Sequence, residues 1–332
     1  MFKNFLITLI VFLTFTTNVY ASESNNLISK NKLDNLDKEV LDFLEYTSEE
    51  RKNISKKDYN YIKSIDISKS KKETYYFEET YVYSSYSSYI NKEKPTRVLT
   101  KKISKEMYDS SNQRIGYGSN YTLKSTGSDF HETNAKKISI IISNMPSNPK
   151  EKIVSSFLTW KTMPSVRSHD VFALRSTGGY LIPSTQSGTY TYKTQTMDSG
   201  CGGYVIGTNN INITSGWTKS SIPTILHGTA HSGVGYTVKL KGNDFVCIND
   251  LGMFMYETIL EMNFRLYTKA YSTSSNNQVT IHSTYQHSTT NLAYNNVFNK
   301  YAFVAGGLGN TINFTNGYNS YFDGMGGVIA TY

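Results

Sequence analysis

From Thr258 to Leu266 the chain alternates strictly. Leu260, Met262, Phe264 and Leu266 occupy one parity; Glu261, Asn263 and Arg265 occupy the other. Successive side chains of a strand point to opposite faces, so this pattern predicts a strand with one buried face. The same period recurs in Ile138, Ile140 and Ile142, in Tyr190 and Tyr192 among threonines, in Tyr236, Val238 and Leu240, and in Val279, Ile281, Ser283 and Tyr285. Ile153–Trp160, Val171–Leu174, Tyr204–Ile206 and Val328–Tyr332 add short strand candidates. Short strands parted by turn residues predict a mainly β protein, an antiparallel β-sandwich or barrel-like domain. The 27 tyrosines and the many threonines suit pleated surfaces. An AT-biased genome would enrich tyrosine too, so the count alone carries no function.

The first 21 residues read as a secretory signal peptide. Lys3 supplies a positive start, Phe5–Phe15 an apolar core, and Val19-Tyr20-Ala21 a cleavage site after Ala21. The apolar run is shorter than the roughly 20 residues a membrane span needs. No lipid-accepting cysteine or sorting signal is recognised, so the expectation is a secreted, extracellular protein. Residues 22–32 are polar. Leu33, Leu36, Val40, Leu41 and Leu44 then recur at helical spacing and predict a short helix over 33–46. Thr47 to Asp58 reads as a solvated linker or a second short helix. Glu73–Ile90 reads as one long or bent strand, with Arg97–Met107 and Arg114–Leu123 as weaker ones.

Charge density then falls. In residues 22–134, 37 of 113 residues are Lys, Arg, Asp or Glu; in residues 135–332, only 22 of 198 are. That step predicts a charged α+β N-terminal region (22–134), either a pro-region or extra strands, ahead of a β-sandwich domain (135–332) with a Gly-rich tail. The net charge of +8 is scattered rather than clustered. It suits a basic surface with affinity for a cell-envelope polymer, a glycan or a membrane, and gives no reason to expect nucleic acid.

Most candidate chemistry dissolves on inspection. Cys201 and Cys247 are the only cysteines and, in an exported chain, predict a disulfide closing a loop of about 45 residues. On the loop-entropy model such a bridge is worth about 4 kcal/mol. His227 and His231 lie four apart, but Pro223, Gly228, Gly233 and Gly235 argue against the helix that would bring them together. On a strand their rings would stand about 13 Å apart. No metal site and no cofactor is therefore expected, and a hydrolase using His227 or His231 remains only an alternative. Asp198 and Asp244 flank the two cysteines and are a further carboxylate pair, without other support. Tyrosines at 75, 76, 81, 83, 86 and 89 either pack in a core or present a binding face.

The densest segment is Ile153–Ser176. Two strand-like runs flank Met163-Pro164 and Arg167-Ser168-His169-Asp170. Trp160, Arg167 and Asp170 are its candidate binding residues; equally, Trp160 packs beneath a turn that an Arg167–Asp170 pair closes. The pattern Trp160-x-x-Met163-Pro164-x-x-Arg167-x-x-Asp170 resembles a motif of uncharacterised exported proteins of Gram-positive bacteria. The resemblance spans about residues 137–270 and implies a secreted β-rich protein with no known activity. The resulting expectation is a non-enzymatic extracellular binding protein. A secreted pore-forming or membrane-active β protein is the first alternative, suggested by Ser/Thr-rich alternating strands and basic charge.

Overall fold

A computed structural model describes residues 35–112, 114–117, 129–167, 169–182, 184–198, 204–212, 225–226, 229–230, 232–240, 244–248, 253–287, 301–306, 309–314 and 326–332. The signal segment, Cys201, His227 and His231 lie outside these residues, as does the proposed cleavage after Ala21. The side chain of Cys247 is likewise not described. Residues 1–65 and 66–332 form two compact units.

The first unit is helical where it is described: α1 Asn35–Phe43, α2 Ser48–Arg51 and α3 Lys56–Lys63. The expected helix is present, and the charged stretch after it forms two more. Their starts are written locally. Thr47 and Glu50 form a reciprocal capping box, and Ser55 accepts from the Asp58 N–H. Tyr59 donates to Asp37 at 2.9 Å and ties α3 to α1.

The second unit is mainly antiparallel β. Its strands are β1 Ser70–Tyr83, β2 Arg97–Ile103, β3 Arg114–Tyr117, β4 Phe130–Met145, β5 Asn148–Trp160, β6 His169–Thr177 and β7 Gly179–Leu181. Then follow β8 Ser187–Asp198, β9 Tyr204–Asn212, β10 Ile225–Leu226, β11 Thr229–Ala230, β12 Ser232–Lys239 and β13 Asp244–Ile248. The chain continues with β14 Met253–Ser272, β15 Thr280–Gln286, β16 Tyr301–Gly306, β17 Gly309–Phe314 and β18 Gly326–Thr331. Two short helices, α4 Tyr86–Ile90 and α5 Lys105–Ser110, interrupt the early strands.

The large sheet runs β2-β1-β4-β5-β14-β8-β9, with β3 on β4 and both β7 and β13 on β14. A smaller sheet runs β12-β6-β15-β18. Within Ile153–Ser176, β5 ends in the large sheet and β6 begins in the small one, and residues 161–167 lie between them. The core between them holds Phe77, Ile138, Ile140, Ile142, Leu158 and Trp160 from the large sheet. Val171–Leu174, Ile281 and Tyr285 enter it from the small one. Ser156 and Ser283 hydrogen-bond across the layer at 2.7 Å.

Three departures from the sequence expectations have local causes. The run 73–90 is not one strand: after Tyr83 it becomes α4, because Ser85 caps a helical turn by accepting from the Ser88 N–H at 3.1 Å. The strand over 253–272 does not keep its alternation. A bulge between Ile259 and Glu261 leaves Leu260 39% exposed while Ile259, Met262, Phe264 and Leu266 are buried. Nor is its other face open, since Asn263 and Arg265 are buried and the Arg265 guanidinium lies 4.9 Å over the Phe157 ring. The expected step at residue 134 falls inside β4, which pairs with β1 from Phe130 to Ser143. The step does not follow exposure: Glu132, Thr133, Asn134, Ala135 and Lys136 are all buried, and the ladder to β1 runs through them without a break.

Candidate functional site

The inner face of β1 and β4 carries a row of charged and polar side chains among the apolar ones. Phe77, Glu79, Tyr81 and Tyr83 share one parity of β1; Glu132, Asn134, Lys136 and Ile138 share one parity of β4. Register sets Phe77 opposite Lys136, Glu79 opposite Asn134 and Tyr81 opposite Glu132. On the other side of β4, Lys136 faces Trp160 of β5, which faces Met262 of β14.

Two hydrogen-bonded chains are built on this row. In the first, the Lys136 ammonium is ion-paired with Glu79, both side chains being 0% exposed, and Tyr81 donates to the other Glu79 oxygen at 2.5 Å. In the second, Trp160 Nε1 donates to the Tyr285 hydroxyl at 3.0 Å, and that hydroxyl donates to Asp170. His287 Nδ1 lies 2.8 Å from the same carboxylate. The Lys136 ammonium sits 4.9 Å over both the Trp160 and Tyr285 rings and so joins the two chains. Asp170, Tyr285 and His287 come from the small sheet and the residue after its strand; the other partners come from the large sheet. The network spans the sandwich.

Burial sets its electrostatics. Burial pushes the Tyr285 hydroxyl well above its ordinary value, and the Asp170 carboxylate it donates to pushes the same way. Both effects keep it a neutral donor. Beside the network, Glu132 accepts from Asn134 at 2.9 Å, from the Ser165 N–H at 2.8 Å and from the Ser165 hydroxyl. These bonds pin the crossover segment to β4. Burial, then the Glu132 charge, raises the nearby Tyr89 hydroxyl to about 12.

The sequence-predicted residues divide. Trp160 and Asp170 belong to one network and meet through Tyr285. Arg167 is half-buried in the crossover, where its Nε donates to Pro164 O at 3.0 Å. Met163 and Val166 of the same crossover are buried. Glu79, Lys136, Tyr285 and His287 escaped the sequence reading. Parity was the available signal for two of them: Lys136 falls in phase with Ile138, Ile140 and Ile142, and Glu79 with Phe77 and Tyr81. Tyr285 was read as part of an apolar face, and His287 follows its strand by two residues.

An Asp–His pair beside a tyrosine hydroxyl has the makings of acid–base chemistry. Here it is sealed: Asp170 and His287 are each 1% exposed, and Tyr285 is 0%. The neighbouring crevice, lined by Tyr81, Tyr83, Glu132, Pro164, Ser165, Val166 and His287, has no room for a water molecule. The arrangement can hold two sheets together; it cannot meet a substrate in this conformation. Among the described residues no cluster of His, Cys, Asp and Glu forms a metal cage. No helix among them is long and apolar enough to cross a membrane, which says nothing of strands.

No protein-family model matches the chain, and no curated protein matches it either. Among solved structures, the Clostridium perfringens NetB toxin in its membrane-inserted form is 10% identical over 52% of this chain and 82% of that one, with a TM-score of 0.15. A second, described as a pore forming protein, is 9% identical over 66% and 96%, with a TM-score of 0.17. Likenesses this slight carry no argument for this chain.

Proposed function

We propose that the protein is exported and acts, without catalysis, by binding at a membrane surface, with the β8–β9 hairpin as the segment suited to enter the bilayer. The hairpin carries the proposal. It pairs nine residues with nine, from Thr189 opposite Asn212 to Met197 opposite Tyr204. A strand tilted across a bilayer needs about 9–11 residues. Only Lys193 and Asp198 are charged between residues 187 and 212.

The alternation also fits. Thr189, Thr191, Lys193 and Gln195 register with Asn212, Asn210, Thr208 and Ile206, a set that is polar at all but one position. The intervening set, Tyr190, Tyr192, Thr194 and Thr196 with Ile211, Asn209, Gly207 and Val205, holds no charge. A polar set alternating with an uncharged set that holds Tyr190, Tyr192, Ile211 and Val205 follows the period-two alternation of strands that cross lipid. β9 ends the large sheet's strand path, with β8 between it and β14.

The sealed Asp170–His287 pair supports binding over catalysis. The test is dye release from liposomes. Leakage at micromolar protein is expected; its absence at any lipid composition would remove the membrane-entering part of the proposal. For the hydrolase alternative, any hydrolytic activity found should be lost on alanine replacement of His227 and His231; hydrolysis unchanged by that replacement would reject it.

A further inference from the structure

The connection between β1 and β2 presents a rigid, exposed, apolar and basic tip. On α4, Tyr86 is 47% exposed and Ile90 55% exposed, the highest values among the large apolar side chains described. Lys92, Lys94 and Arg97 follow, all exposed, against one exposed acid, Glu93. The tip is firmly held. Tyr89 packs on Phe130 at 4.6 Å and on Tyr83 at 5.4 Å, and Tyr86 on Phe130 at 5.1 Å. Thr96 closes the base, its N–H donating to Val82 O at 2.7 Å. Lys92 itself sits at φ 53°, the left-handed region where glycine is the cheap choice. This is the residue that ends α4: the Lys92 N–H donates to Tyr89 O at 3.0 Å and the Glu93 N–H to Ser88 O at 2.9 Å.

Tyrosine at headgroup depth, an aliphatic anchor beside it and lysines around both is the chemistry of an interfacial membrane contact. An anionic polymer would need the cations but has no use for an exposed Ile90. We propose that the α4 tip is the face by which the protein docks on an anionic lipid bilayer, with Tyr86 and Ile90 at the headgroup boundary and Lys92, Lys94 and Arg97 on anionic headgroups. This rests on the membrane reading above and assigns it a docking surface distinct from the hairpin.

The test is co-sedimentation of the purified chain with phosphatidylcholine vesicles, with and without phosphatidylserine. Wild type should pellet with the anionic vesicles. Lys92→Glu/Lys94→Glu should weaken binding by at least about thirtyfold, from two lost lysine contacts and the repulsion of two new carboxylates. Tyr86→Ser/Ile90→Ser should weaken it roughly tenfold with the charges intact. Both pairs are exposed, and an unchanged melting transition would confirm that each variant folds. Equal binding by wild type and both variants would overturn the tip assignment and leave the membrane reading standing. No binding of wild type to any vesicle would overturn both. Binding to a purified anionic wall polymer that Lys92→Glu/Lys94→Glu abolishes, with no vesicle binding, would assign the tip to the polymer instead.

Discussion

Lys136 shows how far a single side chain can depart from its type. A lysine on a β-strand ordinarily faces water; this one is fully buried, paired with Glu79 and lying between two aromatic rings. Removing one partner of a buried pair leaves the other uncompensated, at about 3–5 kcal/mol. Lys136→Met should therefore lower the urea midpoint sharply, and Lys136→Met with Glu79→Leu should recover most of that loss; a double variant as weak as the sum of the singles would refute the pairing. Tyr285 makes a pH prediction. Its folded-state pKa is raised above 10.0. The unfolded chain thus releases this proton first as pH climbs past 10, and the residue's contribution to stability falls from there upward. Tyr285→Phe should cost stability at neutral pH, and its deficit against wild type should shrink above pH 10. Denaturant midpoints across that range check it. Trp160 and Asp170 were legible in the sequence because they sit in one compact motif. Their shared partner, Tyr285, lies more than a hundred residues away, and no local pattern announces a contact of that kind.

At the scale of elements, alternation proved a good guide to strands and a poor one to phase. Met262, Phe264 and Leu266 are buried as the pattern requires, but the bulge after Ile259 puts Leu260 outside it. Leu260→Ser should be nearly neutral, within about 0.5 kcal/mol, whereas Met262→Ala should cost about 2–5 kcal/mol. Equal losses at both sites would contradict the bulge. The turn between β6 and β7 is similarly exacting. Gly178 has φ 73°, and a Cβ on Gly179 would meet Tyr271 O at 2.1 Å. Gly179→Ala should strip β7 from β14, seen as lost amide protection in residues 179–181 and 270–272. The α4 turn was missed for a different reason. A tyrosine-rich stretch carries strand propensity to its end, and only the paired serines at 84 and 85 hint that a cap follows.

For the whole molecule, mainly β antiparallel architecture was readable from period-two segments alone. How far the early strands belong to the main sheet was not. β1 and β4 pair over fourteen residues, yet their sequences differ in charge density on either side of residue 134. Charge density does not mark the seam, because Glu78 and Glu79 of β1 and Glu132 and Lys136 of β4 are buried within one ladder. At the edge, β2 bears Arg97, Lys101 and Lys102, exposed charges that guard an unpaired strand against aggregation. The path's other end is β9, and the account depends on what the hairpin does there. Tyr190 stacks on Phe264 at 4.9 Å, so entering a membrane requires β8 to part from β14. Thr191 and Asn263 are register partners across that seam. A Thr191→Cys/Asn263→Cys variant, oxidised, would lock it. Dye release from anionic vesicles should be abolished in the oxidised variant and restored by reductant, with wild type under the same reductant as control; leakage undiminished by the lock would contradict the account.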